Sequence, residues 1–263
     1  DVANTLDGYG TSSPLYVKFS GSIDVTLLPE PAASHLESSP IQLVNVDPDS
    51  ENWGMRTPIT HQYTPTETAY QPAHLLSITP YYGFVLDPDT TYALVVTTAI
   101  ADQNSDFAET LEPDSDLYPH MAPLLDTLPK LGLTPDALAV ATVFTTDNPL
   151  AEMSAISDQI KLDMPPLDLS QTLAAKSEFA DYLSFTGSYQ GPLYQHGKRP
   201  YETTDGGFHF EEDGTPILFE MESIRLSLSL PKNKKQPENG WPVVVYAHGT
   251  GGNYLTFCNA TSD

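Results

Sequence analysis

The chain has one cysteine, few positive charges and no long apolar run, and each scarcity removes a class of protein. Cys258 stands alone, so no internal disulfide can form, and no zinc-ligand spacing occurs. The 7 histidines are scattered and contain no H-E-x-x-H pair. Lys and Arg number 11 against 35 Asp and Glu, a formal net charge of −24 at pH 7. A chain this acidic repels phosphate, which argues against nucleic acid and anionic membrane surfaces as partners. No apolar stretch approaches the roughly 18–20 residues of a membrane-spanning helix, so no transmembrane segment is expected. No G-x-S-x-G is present either. The nearest string, Gly187-Ser188-Tyr189-Gln190-Gly191, has its serine one place early.

What is there begins with turns and short strands. Pro40 to Val46, Ile59 to Tyr63, Leu75 to Thr79 and Tyr92 to Ile100 read as strands, the last being the strongest of the first half. Asp7 to Phe19 ends in a strand-like alternation, and Ile23 to Leu28 is a further short apolar run. Many of the 24 prolines sit between these runs, where a missing N–H costs little. Short strands at this spacing predict an all-β sandwich. Between Asp106 and Ala137 the period changes. Leu117, Met121, Leu124, Leu125 and Leu128 have helical spacing, and Thr134-Pro135-Asp136 reads as a helix start. This helical insertion either packs on the sandwich or serves as a substrate lid. Asn148-Pro149 is another helix start, with Leu150, Met153, Ile156 and Ile160 along one face. Leu169 to Tyr182 is ambiguous and reads as partly helical.

Strands return from Leu183. Phe208-His209-Phe210 and Ile217-Leu218-Phe219 flank Asp213-Gly214-Thr215, a hairpin signal. Glu222 to Leu230 alternates apolar and polar residues, as a half-buried antiparallel strand does. Three regions follow: a β-sandwich over 1–146 with its insertion over about 106–137, a helical linker over 147–182, and a third region over 183–263.

The acidity reads as solubility, or as calcium binding. Asp47-Pro48-Asp49-Ser50-Glu51 and Asp87-Pro88-Asp89 crowd carboxylates in loops, although neither matches an EF-hand. No other cofactor is expected. Tyr194, His196, Lys198, Arg199 and Tyr201 form a rare basic spot, either lining a cleft or holding a loop. The 14 tyrosines suit a sugar-facing domain as well as a core, and Tyr81-Tyr82 lies beside a turn.

The most chemically specific stretch is Gly240 to Asn253, GWPVVVYAHGTGGN. Val243 to Tyr246 has no polar alternation, which predicts a strand buried on both faces in a parallel sheet. His248 is followed by Gly249, Thr250, Gly251 and Gly252. Glycines leave N–H groups bare and permit positive φ, so the loop can gather donors around an oxyanion. The alternative is a glycine turn closing an ordinary strand.

This stretch resembles the strand and HGGG-type oxyanion loop that open the catalytic domain of α/β-hydrolases, the lipase and esterase superfamily. PENGWPVVVYAHGTGG is closer still to bacterial secreted or surface lipase-like hydrolases with an N-terminal Ig-like domain, the virulence-factor-lipase N-terminal type. LSITPYYGFVLDPDTTYALVVTTAIAD and VATVFTTDNP look like the Ig-like module itself, through Leu86, Pro88, Thr90, Tyr92 and Phe144-Thr145-Thr146. The run from GPLYQHGKRPY to ESIRLSLSLP looks like the approach to the oxyanion loop. The resemblance implies an Ig-like sandwich followed by the first strands of an α/β-hydrolase domain, acting on ester or lipid-like substrates. It implies backbone donors at Gly249, Thr250 and Gly251, with His248 supporting the loop rather than serving as base. It also implies that the Ser, acid and His come later than Asp263, in the remainder of the hydrolase domain, so that these residues alone do not catalyse. Asp1 in place of Met suggests a removed export signal and an extracellular, surface or periplasmic site. The alternative function is a non-catalytic Ig-like adhesion or carbohydrate-binding module.

Overall fold

The structure, a computed structural model, describes residues 8–167, 172–201 and 206–256. It is mainly β, with three antiparallel sheets and few helices. The chain divides into two compact units, Asp1–Pro149 and Leu150–Asp263.

In the first unit β1 (Leu15–Lys18), β5 (Leu75–Pro80) and β4 (Ile59–Thr64) form one sheet in that order. β3 (Arg56–Thr57), β2 (Ile41–Asn45), β6 (Thr91–Thr97) and β7 (Leu138–Thr145) form a second. Two helices, α1 (Ser105–Thr110) and α2 (Tyr118–Leu131), lie in the connection from β6 to β7. The second sheet is the middle of three layers. Side chains alternate across a strand, so β2 and β6 serve two cores. Ile41, Leu43, Leu94 and Val96 pack against Ile59, Leu76 and Ile78 of the first sheet. Val44, Ala93 and Val95 pack against Met121, Leu124 and Leu128 of α2. This explains why β2 and the centre of β6 are buried throughout, and why the centre of β6, Tyr92 to Val96, is an unbroken apolar run.

The helical spacing read in the insertion is present, and its face is sorted by burial. Met121, Leu124 and Leu128 are buried, whereas Leu117 is exposed at the N-cap. Gly132 ends α2 in the left-handed conformation, φ 70, where glycine has no Cβ penalty. The buried Gln42 is satisfied. It donates to Ser39 O at 2.9 Å and accepts from Arg56 Nε at 2.8 Å, and Arg56 also donates to Leu131 O at 3.2 Å. Arg56 therefore links the sheet to an orphan carbonyl at the helix end.

The turn before β6 is pinned from two sides. The buried Tyr92 hydroxyl accepts from Asp87 N–H at 3.1 Å. Thr146 Oγ1 accepts from Thr90 N–H at 3.0 Å and donates to Asp87 O at 2.6 Å. Burial pushes the Tyr92 phenol above its ordinary pKa, which keeps it protonated. Two local expectations change. Ile23 to Leu28 yields only a 3-10 turn at Val25–Leu27, because Asp24 caps it by accepting from Thr26 N–H at 2.9 Å. The start at Thr134 also yields one 3-10 turn, Pro135–Ala137, since β7 begins at Leu138 and pairs with β6.

In the second unit α3 (Ala151–Asp163) precedes a sheet of β8 (Leu173–Glu178), β9 (Tyr182–Leu193) and β10 (Glu220–Pro231), in the order β10-β9-β8. The half-buried strand read at Glu222 to Leu230 is the core of β10, paired along its length with β9. Leu173–Glu178 is a strand, where a partly helical segment was expected, because β9 offers it a pairing edge. Leu169, at the start of that segment, lies outside the described residues. Along α3 only Ile156 is buried, while Leu150, Met153 and Ile160 are exposed. Asn148 is not the cap, as its side chain donates to Asp89 Oδ2 at 2.7 Å.

Candidate functional site

The glycine loop is a tight turn. Gly252 N–H donates to Gly249 O at 3.0 Å, and Gly251 sits at φ 83. A positive φ at the third of four turn residues is type II geometry, which favours glycine there. The consequence for donors is specific. Gly252 N–H is spent inside the turn. Among the described residues, Thr250 and Gly251 N–H meet no acceptor, and the turn is exposed. A Cβ at Gly249 or Gly251 would meet nothing within 4 Å, whereas one at Gly252 would lie 2.9 Å from His248 Cβ. His248 Nδ1 donates to Gly249 O at 3.0 Å. A carbonyl oxygen only accepts, so Nδ1 carries the proton.

Downstream residues clip the loop. Asn253 N–H donates to Thr256 Oγ1, and Leu255 N–H to Asn253 Oδ1, each at 2.8 Å. Ser227 of β10 donates its hydroxyl to Tyr254 O. The Arg225 guanidinium stands 5.0 Å from the Tyr254 ring centre, a cation–π distance. Sequence reading missed the tie of Tyr254 to β10, because its partners lie far apart in the chain.

Upstream, the buried strand expected at Val243 to Tyr246 is not found. The run forms no strand, and Val243, Val244 and Val245 are 79%, 84% and 88% exposed. Burial on both faces needs a flanking sheet and covering helices, and the described residues place neither there. The β-branched run reports a preference for extended backbone, and a preference alone does not bury it.

The Tyr194 to Tyr201 loop is held by structural bonds. Tyr194 is buried and donates to Asp163 Oδ2 at 2.5 Å. Burial first, then Asp163, pushes its phenol well above the usual range. His196 Nε2 donates to Ile217 O at 3.1 Å and its ring stacks on His209 at 4.1 Å. The hairpin signal around Gly214 survives as one isolated bridge, Phe210 with Pro216, while Phe208 bridges Gln195 instead. Lys198, Arg199, Tyr201 and Phe219 help line an open cleft of 270 Å³.

Arg199 grips Glu222 of β10 with both ends of its fork, at 2.5 and 2.7 Å. This holds the Glu222 carboxyl below its ordinary pKa. A depressed folded pKa contributes stability above the unfolded carboxylate pKa and loses it as pH falls through the folded value. Glu222→Gln is therefore expected to lower the melting midpoint slightly at pH 7. The difference should narrow as the pH falls from 7 through the lowered folded value, and close once the carboxyl is protonated in both the folded and the unfolded state. Thermal scans of both proteins across that range check this. An equal penalty at both ends would remove the charge pair as its cause.

The acidic loops use their carboxylates locally. Asp47 accepts from Asp49 N–H at 3.0 Å and Thr91 N–H at 3.2 Å, and Asp87 accepts from Asn52 at 3.1 Å. Among the described residues no three metal-ligating side chains converge. No helix among them is long and apolar enough to cross a membrane. Cys258 lies outside the described residues. No family model, curated protein or solved structure matches the chain.

Proposed function

We propose that these residues are the N-terminal portion of a secreted or surface-attached serine hydrolase that cleaves ester bonds, of the lipase and esterase kind. The observation that carries this is the Gly249–Gly252 turn, whose exposed Thr250 and Gly251 N–H groups meet no acceptor among the described residues. A backbone N–H left available in this way can stabilise the negative charge that develops on a carbonyl oxygen under attack. His248 and the Tyr254 clip brace the turn, and neither is assigned a proton-transfer role. The serine that attacks the ester, the histidine that takes its proton and the acid that orients that histidine belong to the remainder of the hydrolase domain. The exposed valines at Val243 to Val245 suit a strand that such a domain would cover. The first unit is assigned as an Ig-like sandwich. Tyr92 supports this, since a tyrosine at a strand start bonding backbone a few residues upstream is a feature of that architecture.

The test is labelling of the natural polypeptide that carries these residues with a fluorophosphonate, which reacts with activated serines. Labelling and hydrolysis of p-nitrophenyl esters, both lost after heat denaturation, are expected. A folded polypeptide that neither labels nor turns over short- or long-chain esters sinks the proposal.

A further inference from the structure

We infer that the first unit carries a binding site for a neutral oligosaccharide, centred on the turn Tyr81–Phe84. Phe84 N–H donates to Tyr81 O at 2.9 Å and Gly83 sits at φ 89, so this is a type II turn like the one at Gly251. Its chemistry differs. Tyr81, Tyr82 and Phe84 are 39%, 86% and 49% exposed, and Val85 is 63% exposed. The Tyr81 ring is the centre of the group, 6.0 Å from Tyr82 and 6.4 Å from Phe84. Scattered exposed apolar residues are ordinary, but three neighbouring rings on one turn form a patch. Such rings offer an apolar face with a polar edge, which matches the C–H face and hydroxyl rim of a sugar ring.

A second feature lies beside it. The turn runs into Leu86, whose N–H donates to Thr11 O at 3.0 Å. Thr11 lines an open cleft of 470 Å³ with Gly10, Ser12, Ser13, Pro14 and Asp147. Among the described residues no protein group bonds the Thr11, Ser12 or Ser13 hydroxyls. The cleft thus offers hydroxyls and a carboxylate that can exchange water for sugar hydroxyls. Neither the turn nor the Gly10–Pro14 segment contains Lys or Arg. With a net charge of −24 on the chain, this selects a neutral ligand over phospholipid headgroups of negative charge or acidic glycans. The inference stands independently of the ester-hydrolase reading, since it uses none of the same residues.

The experiment is calorimetric titration of the full chain with cellohexaose, maltohexaose and mannohexaose, beside a flotation assay with phosphatidylcholine vesicles. At least one hexasaccharide should bind. Tyr82→Ala should weaken it about tenfold or more, the loss of one stacked ring. Tyr82 is mostly exposed, so its removal leaves the fold intact. Ser12→Ala should also weaken binding. Tyr70→Ala is the control. Tyr70 is 97% exposed, but the β4–β5 pairing puts Thr64 opposite Leu75 at its end and Ile59 opposite Pro80 at the Tyr81 end. Overturning results are no hexasaccharide binding at about 1 mM, binding unchanged by Tyr82→Ala, or Tyr82-dependent vesicle binding without sugar binding.

Discussion

Replacing Gly251 with Val is expected, on the proposed ester-hydrolase reading, to lower ester turnover by the natural polypeptide about 10²–10³-fold, the loss seen when one oxyanion donor is removed. The reason is conformational. Gly251 sits at φ 83, where a side chain is strained, and valine is among the worst residues there. The space around it is open, so no clash forces unfolding. The cheapest relief is to flip the Thr250–Gly251 peptide, which converts a type II turn to type I. That flip turns the Gly251 N–H to the other side of the turn, away from the oxygen it is proposed to stabilise. The fall should appear in kcat with KM little changed, because the donor acts on the transition state. Gly249→Ala has open space and no positive φ, so near-normal turnover is expected there. Steady-state kinetics with a p-nitrophenyl ester reads both variants. Wild-type turnover in Gly251→Val ends the oxyanion assignment.

The largest stability effect is expected at Leu124, where truncation to Ala should cost about 3 kcal/mol, within the 2–5 kcal/mol range for buried leucines. Leu124 is 0% exposed and sits among Val44, Val95 and Leu128, between α2 and the middle sheet. In a unit of this size the midpoint should fall by about 10 °C. Leu117→Ala lies on the same helix at an exposed N-cap and should change stability by less than about 0.5 kcal/mol. Denaturant melts of the two variants separate the cases. Equal small effects would mean that α2 does not pack as described.

Much of the first unit was readable because its signals are local. Tyr92 to Ile100 is largely apolar and β-branched, and β6 (Thr91–Thr97) overlaps it in all but the first residue. Met121, Leu124 and Leu128 recur at the helical period, and they face the core. What failed depended on partners distant in sequence. Leu173–Glu178 reads LAAKSE, a helix-favouring composition, and pairing with β9 overrides it. Leu150, Met153 and Ile160 have a helical stripe, yet burial of a stripe needs something to lie on. The valine run has the same difficulty. In the site, the glycines announced a turn with bare donors. Nothing in their order revealed that Gly252 N–H is already engaged, or that Tyr254 would be tied back to β10.

Wherever no further domain covers it, the open valine run also bears on behaviour in concentrated solution. Val243 to Tyr246 is uncharged, β-favouring and exposed, which is the composition of segments that pair between copies. Pro242, immediately before it, lacks an N–H and blunts one end of such a pairing. The stronger protection is the shared charge of −24, which keeps copies apart. Screening shrinks to about 3 Å at 1 M salt. Added salt or a fall toward the isoelectric region therefore removes the repulsion while leaving the exposed segment in place, and self-association grows.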